Sequence, residues 1–217
     1  MTPIGLLGGT FDPIHHGHLR LAEEMVEALG LECVRFLPTG TPPHRAPPRA
    51  AASDRLAMVD LAIAGNPRFT LDRHEIYKTE PCYMVDTLSA LRSELAANQA
   101  IVLFLGADAF AGLARWHRWR ELFDLCHIAV AQRPGYDLEQ AMPAELGGEF
   151  KARLTDKPGD LSDSPSGKVF RLAIAQLAIS ASHIRELVAA GRSPRYLLPD
   201  AVLDHIRNHH LYSQRNL

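Results

Sequence analysis

A chain of 217 residues, 47% hydrophobic and 22% charged, carries enough apolar material for the core of one α/β domain and too much to stay disordered. A formal net charge of −2 leaves no electrostatic footprint for nucleic acid or an anionic membrane. The scattered cysteines Cys33, Cys82 and Cys126 form no CxxC, which argues against a disulfide framework or zinc ribbon. No run reaches transmembrane length, and no basic segment followed by a long apolar stretch opens the chain, so a cytoplasmic protein is the expectation.

Residues 4–7 are uncharged and read as a buried strand. Gly8 and Gly9 follow, suited to a tight turn or close backbone approach, then Pro13 and the cluster His15, His16, Gly17, His18. Leu19, Ala22, Val26 and Leu29 then share one helix face, and Gly30 ends it. The histidines therefore stand between a strand end and a helix N-terminus, where free backbone N–H groups and the helix dipole suit phosphate.

Residues 33–37 read as a second strand ended by Pro38, and 38–48 as a proline-rich loop. Ser53 is the expected cap of a helix running to Ala64, and 68–71 is a short strand. Past Pro81, Val85, Leu88, Leu91 and Leu95 mark the buried face of a helix. Residues 101–105 are wholly apolar, and Asp108 follows just beyond them, placed either to cap the next helix or to meet a ligand. Trp116 and Trp119 follow, and then a strand at 127–131. A helix is expected at 145–154, a turn-rich surface loop without chemistry at 156–167, and a strand at 168–174. Ser182 reads as the cap of a helix at 184–190. Pro199 suits the first turn of a last helix with Val202, Leu203 and Ile206 inward, leaving His205, His209 and His210 at the surface.

Alternating strands and helices predict a Rossmann-like, doubly wound, mostly parallel sheet with helices on both faces. Residues 1–217 are expected to form one domain, with a helical C-terminal portion from about residue 180. Three histidines within four residues cannot easily converge on one ion, so no protein-held metal site is assigned. The glycine spacing fits neither a dinucleotide fingerprint nor a Walker loop.

The stretch GGTFDPIHHGH resembles the signature of the HxGH nucleotidyltransferases, in the form typical of the nicotinate-nucleotide adenylyltransferases. Further segments share that resemblance. Pro42, Pro43, His44 and Arg45 are similar to the family's PPHK loop, with Arg for Lys. Tyr83, Asp86 and Thr87 match its SYTxDT segment, with Met84 in place of a threonine. GxD ending at Asp108, the RPG turn at Arg133 and the C-terminal YLLPDAVLDHI recur there too. The segment ISASHIR, Ile179 to Arg185, resembles ISSTxIR, the ATP-binding partner of HxGH, with Ala181 and Ser182 standing for Ser and Thr. The likeness spans nearly the whole chain and is weakest across 136–167.

The resemblance implies adenylyl transfer from ATP to nicotinate mononucleotide, giving deamido-NAD and pyrophosphate, with Mg²⁺ accompanying ATP. It implies His15, His18 and Arg185 as catalytic residues, and an ATP site of Gly8, Gly9, Thr10, Phe11, His15, His18, Asp108, Ile179, Ser180, Ser182 and Arg185. It implies a mononucleotide site of Asp12, His44, Arg45, Tyr83, Met84, Thr87, Trp116 and Arg133, with Trp119 left to the core. Alternatives are a nicotinamide-mononucleotide or dual-specificity enzyme, a pantetheine-phosphate adenylyltransferase, a cytidylyltransferase, or a regulatory nucleotide-binding module without turnover. A homo-oligomer is compatible with the sequence.

Overall fold

The computed structural model describes residues 2–40, 47–132, 137–174 and 177–213. In chain order the first half runs β1 (Ile4–Gly9), α1 (His16–Leu29), β2 (Val34–Pro38), α2 (Ala52–Ile63), β3 (Phe69–Leu71), α3 (Met84–Glu94) and β4 (Ile101–Gly106). There follow α4 (Ala107–Ala111), α5 (Leu122–Leu125), β5 (His127–Gln132), α6 (Leu138–Ala141), α7 (Ala144–Arg153), β6 (Leu154–Thr155) and β7 (Val169–Ala173). Two helices, α8 (Ala181–Ala189) and α9 (Asp200–Asn208), follow the last strand.

The seven strands form one sheet in the order β3-β2-β1-β4-β5-β7-β6, and each described pairing is parallel. From β1 the chain steps outward to β2 and β3, then returns to the other side of β1 to lay down β4 and β5. The strand order thus reverses between β1 and β4, where open parallel sheets leave a crevice beyond their carboxyl ends. Leu6 and Leu7, adjacent on β1, enter different clusters, as the alternation of a strand requires. Leu7 joins Met25 of α1, Met58 and Val59 of α2, Ile184 of α8 and Val202 of α9. Leu6 joins Leu88 of α3, Phe110 of α4, Phe123 of α5 and Phe150 of α7. The doubly wound architecture read from the sequence is the one observed. Gly5 is required by this packing, since a Cβ there would stand 2.5 Å from the Phe104 ring.

Local boundaries differ from the sequence reading for identifiable reasons. Ser53 does not cap α2; Ala51 holds the extended cap position without a side-chain bond, and Ser53 lies inside the first turn. Pro199 is the cap residue of α9, outside its first turn. The 156–167 segment is more than a surface loop. Its 3₁₀ turn at Pro158–Leu161 buries Leu161 completely in the cluster with α1. Its carbonyls also have inward partners: Pro165 accepts from Ile101 N at 3.4 Å and from the Arg92 guanidinium at 2.6 Å, while the His127 ring meets the Ser164 carbonyl at 2.8 Å. Three short elements, α5, α6 and β6, are missing from the sequence reading because none shows a periodicity of its own. No helix among the described residues is long and apolar enough to cross a membrane.

Candidate active site

The turn after β1 leads into α1 with His15 as its extended cap residue. The His15 N–H donates to His18 Nδ1 at 3.3 Å. A ring nitrogen that accepts from an amide carries no proton, so the His18 proton sits on Nε2, leaving that atom a neutral donor. The rings of His15 and His18 stack with centroids 3.8 Å apart and 22° between planes. Burial lowers both pKa values, that of His15 to about 4 and that of His18 well below the usual imidazole range, each reinforced by a neighbouring histidine. Near neutral pH the pair is therefore uncharged. Buried His15 Nδ1 has no hydrogen-bond partner among the described residues. Gly17 is fixed by this stack, because a Cβ there would lie 3.0 Å from His15 Nδ1. Phe11 supports it from the other side, its ring edge-on to His18 at 5.0 Å and its backbone left-handed at φ 47°.

The second segment singled out in the sequence closes on this turn. Arg185 Nη1 donates to the Asp12 carbonyl at 2.7 Å, and Nη2 donates to Ser182 Oγ at 3.1 Å. Its Nε is buried without a partner among the described residues. The Ile179 carbonyl lies 3.8 Å from where a Gly17 Cβ would stand, and His16 N donates to the Leu197 carbonyl at 3.0 Å. The two segments lie at opposite ends of the chain and here form one surface.

Several expected roles change. Ser180, not Ser182, caps α8: its side chain accepts from His183 N at 3.2 Å. The helix begins three residues before its expected start, and Ser182 Oγ in its first turn serves Arg185 instead. Asp108 does not cap α4, since Gly106 holds that position; the exposed Asp108 lies in the first turn, past the end of β4. The Phe11 ring is core, 2% exposed, so it supports the histidines and is not offered to a nucleotide. Thr87 is fully buried and its hydroxyl donates to Glu75 Oε1 at 2.7 Å, so it is engaged inside the protein. Glu75, raised in pKa by burial, in turn meets the Thr39 side chain, tying α3 to the end of β2.

Asp12 is also committed elsewhere. Its carboxylate accepts from Arg49 N at 2.8 Å, Ala50 N at 3.1 Å and the Tyr212 hydroxyl at 2.7 Å. It is a strut of the turn and not a free ligand for the mononucleotide. Arg55, which the sequence reading passed over, is the second strut. It is 2% exposed, and Nη1 donates to the carbonyls of Thr10 and Thr39 at 2.7 Å each, with Nη2 reaching Gly40 O at 3.4 Å. The available signal was a charged residue on the same face of α2 as Met58 and Val59.

Tyr83, Met84 and Trp116 are half-buried against the same cluster. Met84 Cε lies 3.4 Å from where a Gly8 Cβ would stand, so the start of α3 abuts the end of β1. Tyr83 packs on the exposed His117, ring centroids 4.5 Å apart. Trp119 is core, 6% exposed, with the Arg120 guanidinium over its ring at 4.3 Å. His44, Arg45 and Arg133 lie outside the described residues.

A parallel sheet whose switch point carries a proton-poor HxGH turn, closed by an arginine from the far end of the chain, defines the nucleotidyltransferase class. Comparison with known proteins agrees. The profile of the cytidylyltransferase-like family matches residues 6–187. A probable nicotinate-nucleotide adenylyltransferase of Dechloromonas aromatica is 54% identical over 211 residues, covering 97% of each chain. One from Pseudomonas putida strain W619 is 49% identical over 213 residues, covering 98% of this chain and 96% of its own. Among solved structures, the nicotinic acid mononucleotide adenylyltransferase of Plasmodium falciparum in complex with NaAD has a TM-score of 0.73 over 98% of each chain, at 16% identity, a likeness of fold. The chain belongs to the cytidylyltransferase-like family and, within it, to the nicotinate-nucleotide adenylyltransferases, which are nucleotidyltransferases of NAD biosynthesis.

Proposed function

We propose that this chain transfers the adenylyl group of ATP to nicotinate mononucleotide. The mononucleotide phosphate oxygen attacks the α-phosphorus of ATP in line. The new O–P bond forms as the bond to the β-phosphate oxygen breaks, and deamido-NAD and pyrophosphate are the products. A phosphate dianion is nucleophilic enough near neutral pH to need no general base, so catalysis consists of positioning and charge stabilisation. The single observation that carries this reading is the stacking of His15 on His18 at the turn whose Asp12 carbonyl accepts from Arg185.

In this reading His18 Nε2–H and His15 donate to phosphate oxygens whose charge grows in the transition state. Being neutral and desolvated beforehand, they need no reorganisation when that charge appears. Arg185 and the α8 N-terminus, with Ser180 and Ser182, take the β,γ end, and the backbone of Gly8 to Thr10 approaches from below. Asp108, past β4, is assigned to the nucleoside portion. Tyr83, the backbone at Met84 and the Trp116 ring are assigned to the mononucleotide. Asp12, the carboxylate of the turn, already accepts from three donors, so Mg²⁺ fits as an ion carried on the phosphates and water, with no dedicated cage of protein carboxylates. When bound it supplies neutralising charge to the departing pyrophosphate.

Selectivity for the acid over the amide follows from the kind of donor present. The Asp86 N–H of the first turn of α3 donates to the Tyr83 carbonyl at 3.1 Å, and the N–H groups of Met84 and Val85, which precede the first helical bond, suit a carboxylate. An amide would set its own donors against them and leave buried groups unpaired. The test is a pyrophosphate-release assay with ATP and Mg²⁺ and, separately, nicotinate mononucleotide, nicotinamide mononucleotide and 4′-phosphopantetheine. The expected result is stoichiometric deamido-NAD with a kcat/KM favouring the acid. Equal values for acid and amide would remove the acid assignment, and turnover of 4′-phosphopantetheine alone would remove the whole reading.

A further inference from the structure

Outside the catalytic turn, α2 packs on α9, and one cluster of chemistry-bearing side chains lies between them. His205 in α9 and His209, the residue that ends it, are four residues apart and stack with centroids 4.1 Å apart and 20° between planes. Asp54, in the first turn of α2, reaches across to both. Its Oδ1 is 3.0 Å from His205 Nε2 and 3.4 Å from His209 Nδ1, and the three ligand atoms all lie within 4.8 Å of one another.

We propose that Asp54, His205 and His209 bind a divalent transition-metal ion of the zinc class, with water completing the coordination. Two imidazole nitrogens and a carboxylate oxygen are a common ligand set for such an ion, which binds them at about 2.0–2.2 Å. Ligand atoms at the corners of a tetrahedron of that size are about 3.4 Å apart, close to the separations between Asp54 and each ring. The three side chains differ in exposure. His205 and Asp54 side chains are 12% and 19% exposed, whereas that of His209 is 54% exposed and can rotate to complete the site.

The position gives the ion a structural consequence. Asp54 directly precedes Arg55, which holds the Thr10 carbonyl, and α9 leads to Tyr212, which holds Asp12. An ion between the helices clamps the two struts of the HxGH turn together without touching the reacting groups.

Chelator-treated protein is titrated with Co²⁺ alone, following visible d–d absorption, and its melting temperature is recorded with and without Zn²⁺. The expected result is one equivalent of Co²⁺ bound with visible bands and a higher melting temperature with Zn²⁺. Affinity should fall at least tenfold in His209→Ala and in Asp54→Asn. His209 is exposed, so its removal leaves the packing intact, and circular dichroism verifies this. No visible bands and no melting shift in the unaltered protein would overturn the proposal. So would unchanged affinity in His209→Ala, which would assign the ion to the histidines of the HxGH turn.

Discussion

The Tyr212 hydroxyl donates to Asp12 Oδ1 at 2.7 Å, joining the end of the chain to the turn that follows its first strand. Both residues are buried, and burial together with the neighbouring carboxylate pushes the Tyr212 pKa far up, so the phenol remains a donor at any ordinary pH. Asp12 also anchors Arg185 through its carbonyl. The last described turn of the protein thus helps to set the position of an arginine assigned to polyphosphate.

Tyr212→Phe should therefore cost about 1.5–3 kcal/mol of stability, the range for losing one hydrogen bond to a charged group. Urea denaturation of the two proteins measures this. A midpoint unchanged by the substitution would mean that the bond is not maintained in solution.

The two serines of ISASHIR should separate cleanly. Ser180→Ala removes the α8 cap and should lower stability by about 1 kcal/mol. Ser182→Ala leaves the cap intact but frees Arg185 Nη2, so it should act on the KM for ATP and not on stability. The reverse pattern would restore Ser182 as the cap.

Arg185→Ala should raise the KM for ATP on the order of 10- to 100-fold, by loss of a charge-assisted contact. Arg185→Lys should recover only part of this, since an ammonium cannot span both the Asp12 carbonyl and Ser182 Oγ. An effect confined to the KM for the mononucleotide would reverse the assignment of the two subsites.

These contrasts also mark what was legible in the sequence. Strand, turn and helix periodicities gave the doubly wound sheet and brought Gly8 to His18 to the switch point, because those patterns depend on local spacing. The pairing of the HxGH turn with Arg185 was readable only through family resemblance. The struts were not readable at all: Arg55 and Tyr212 act through carbonyls and carboxylates 45 and 200 residues away in sequence, which no local pattern encodes. Thr87 was misjudged for the same reason, since its hydroxyl is taken by Glu75 from a different segment. The cap of α8 is Ser180 and not Ser182, because both hydroxyls satisfy the capping preference and only backbone geometry decides between them.

The lowered imidazole pKa values give stability a definite pH dependence. An unfolded histidine takes up its proton near 6.5, while folded His15 does so only near 4. Between those values the unfolded chain holds more protons, so stability falls as pH falls through that window, by up to about 1.4 kcal/mol per pH unit for each such group. His18 is shifted in the same direction and adds to the effect. Urea midpoints at pH 7 and pH 5 should therefore differ less in His15→Gln than in the unaltered protein. An identical pH dependence in both would show that His15 is not held neutral by the fold.

The most direct measurement is the steady-state rate of His18→Ala with saturating ATP, Mg²⁺ and nicotinate mononucleotide, its fold verified by circular dichroism. His18 Nε2–H is assigned to charge that appears only in the transition state, so kcat should fall about a hundredfold or more while both KM values change little. A folded His18→Ala variant with near-unaltered kcat would contradict the assignment of the stacked histidines to the transferring phosphate.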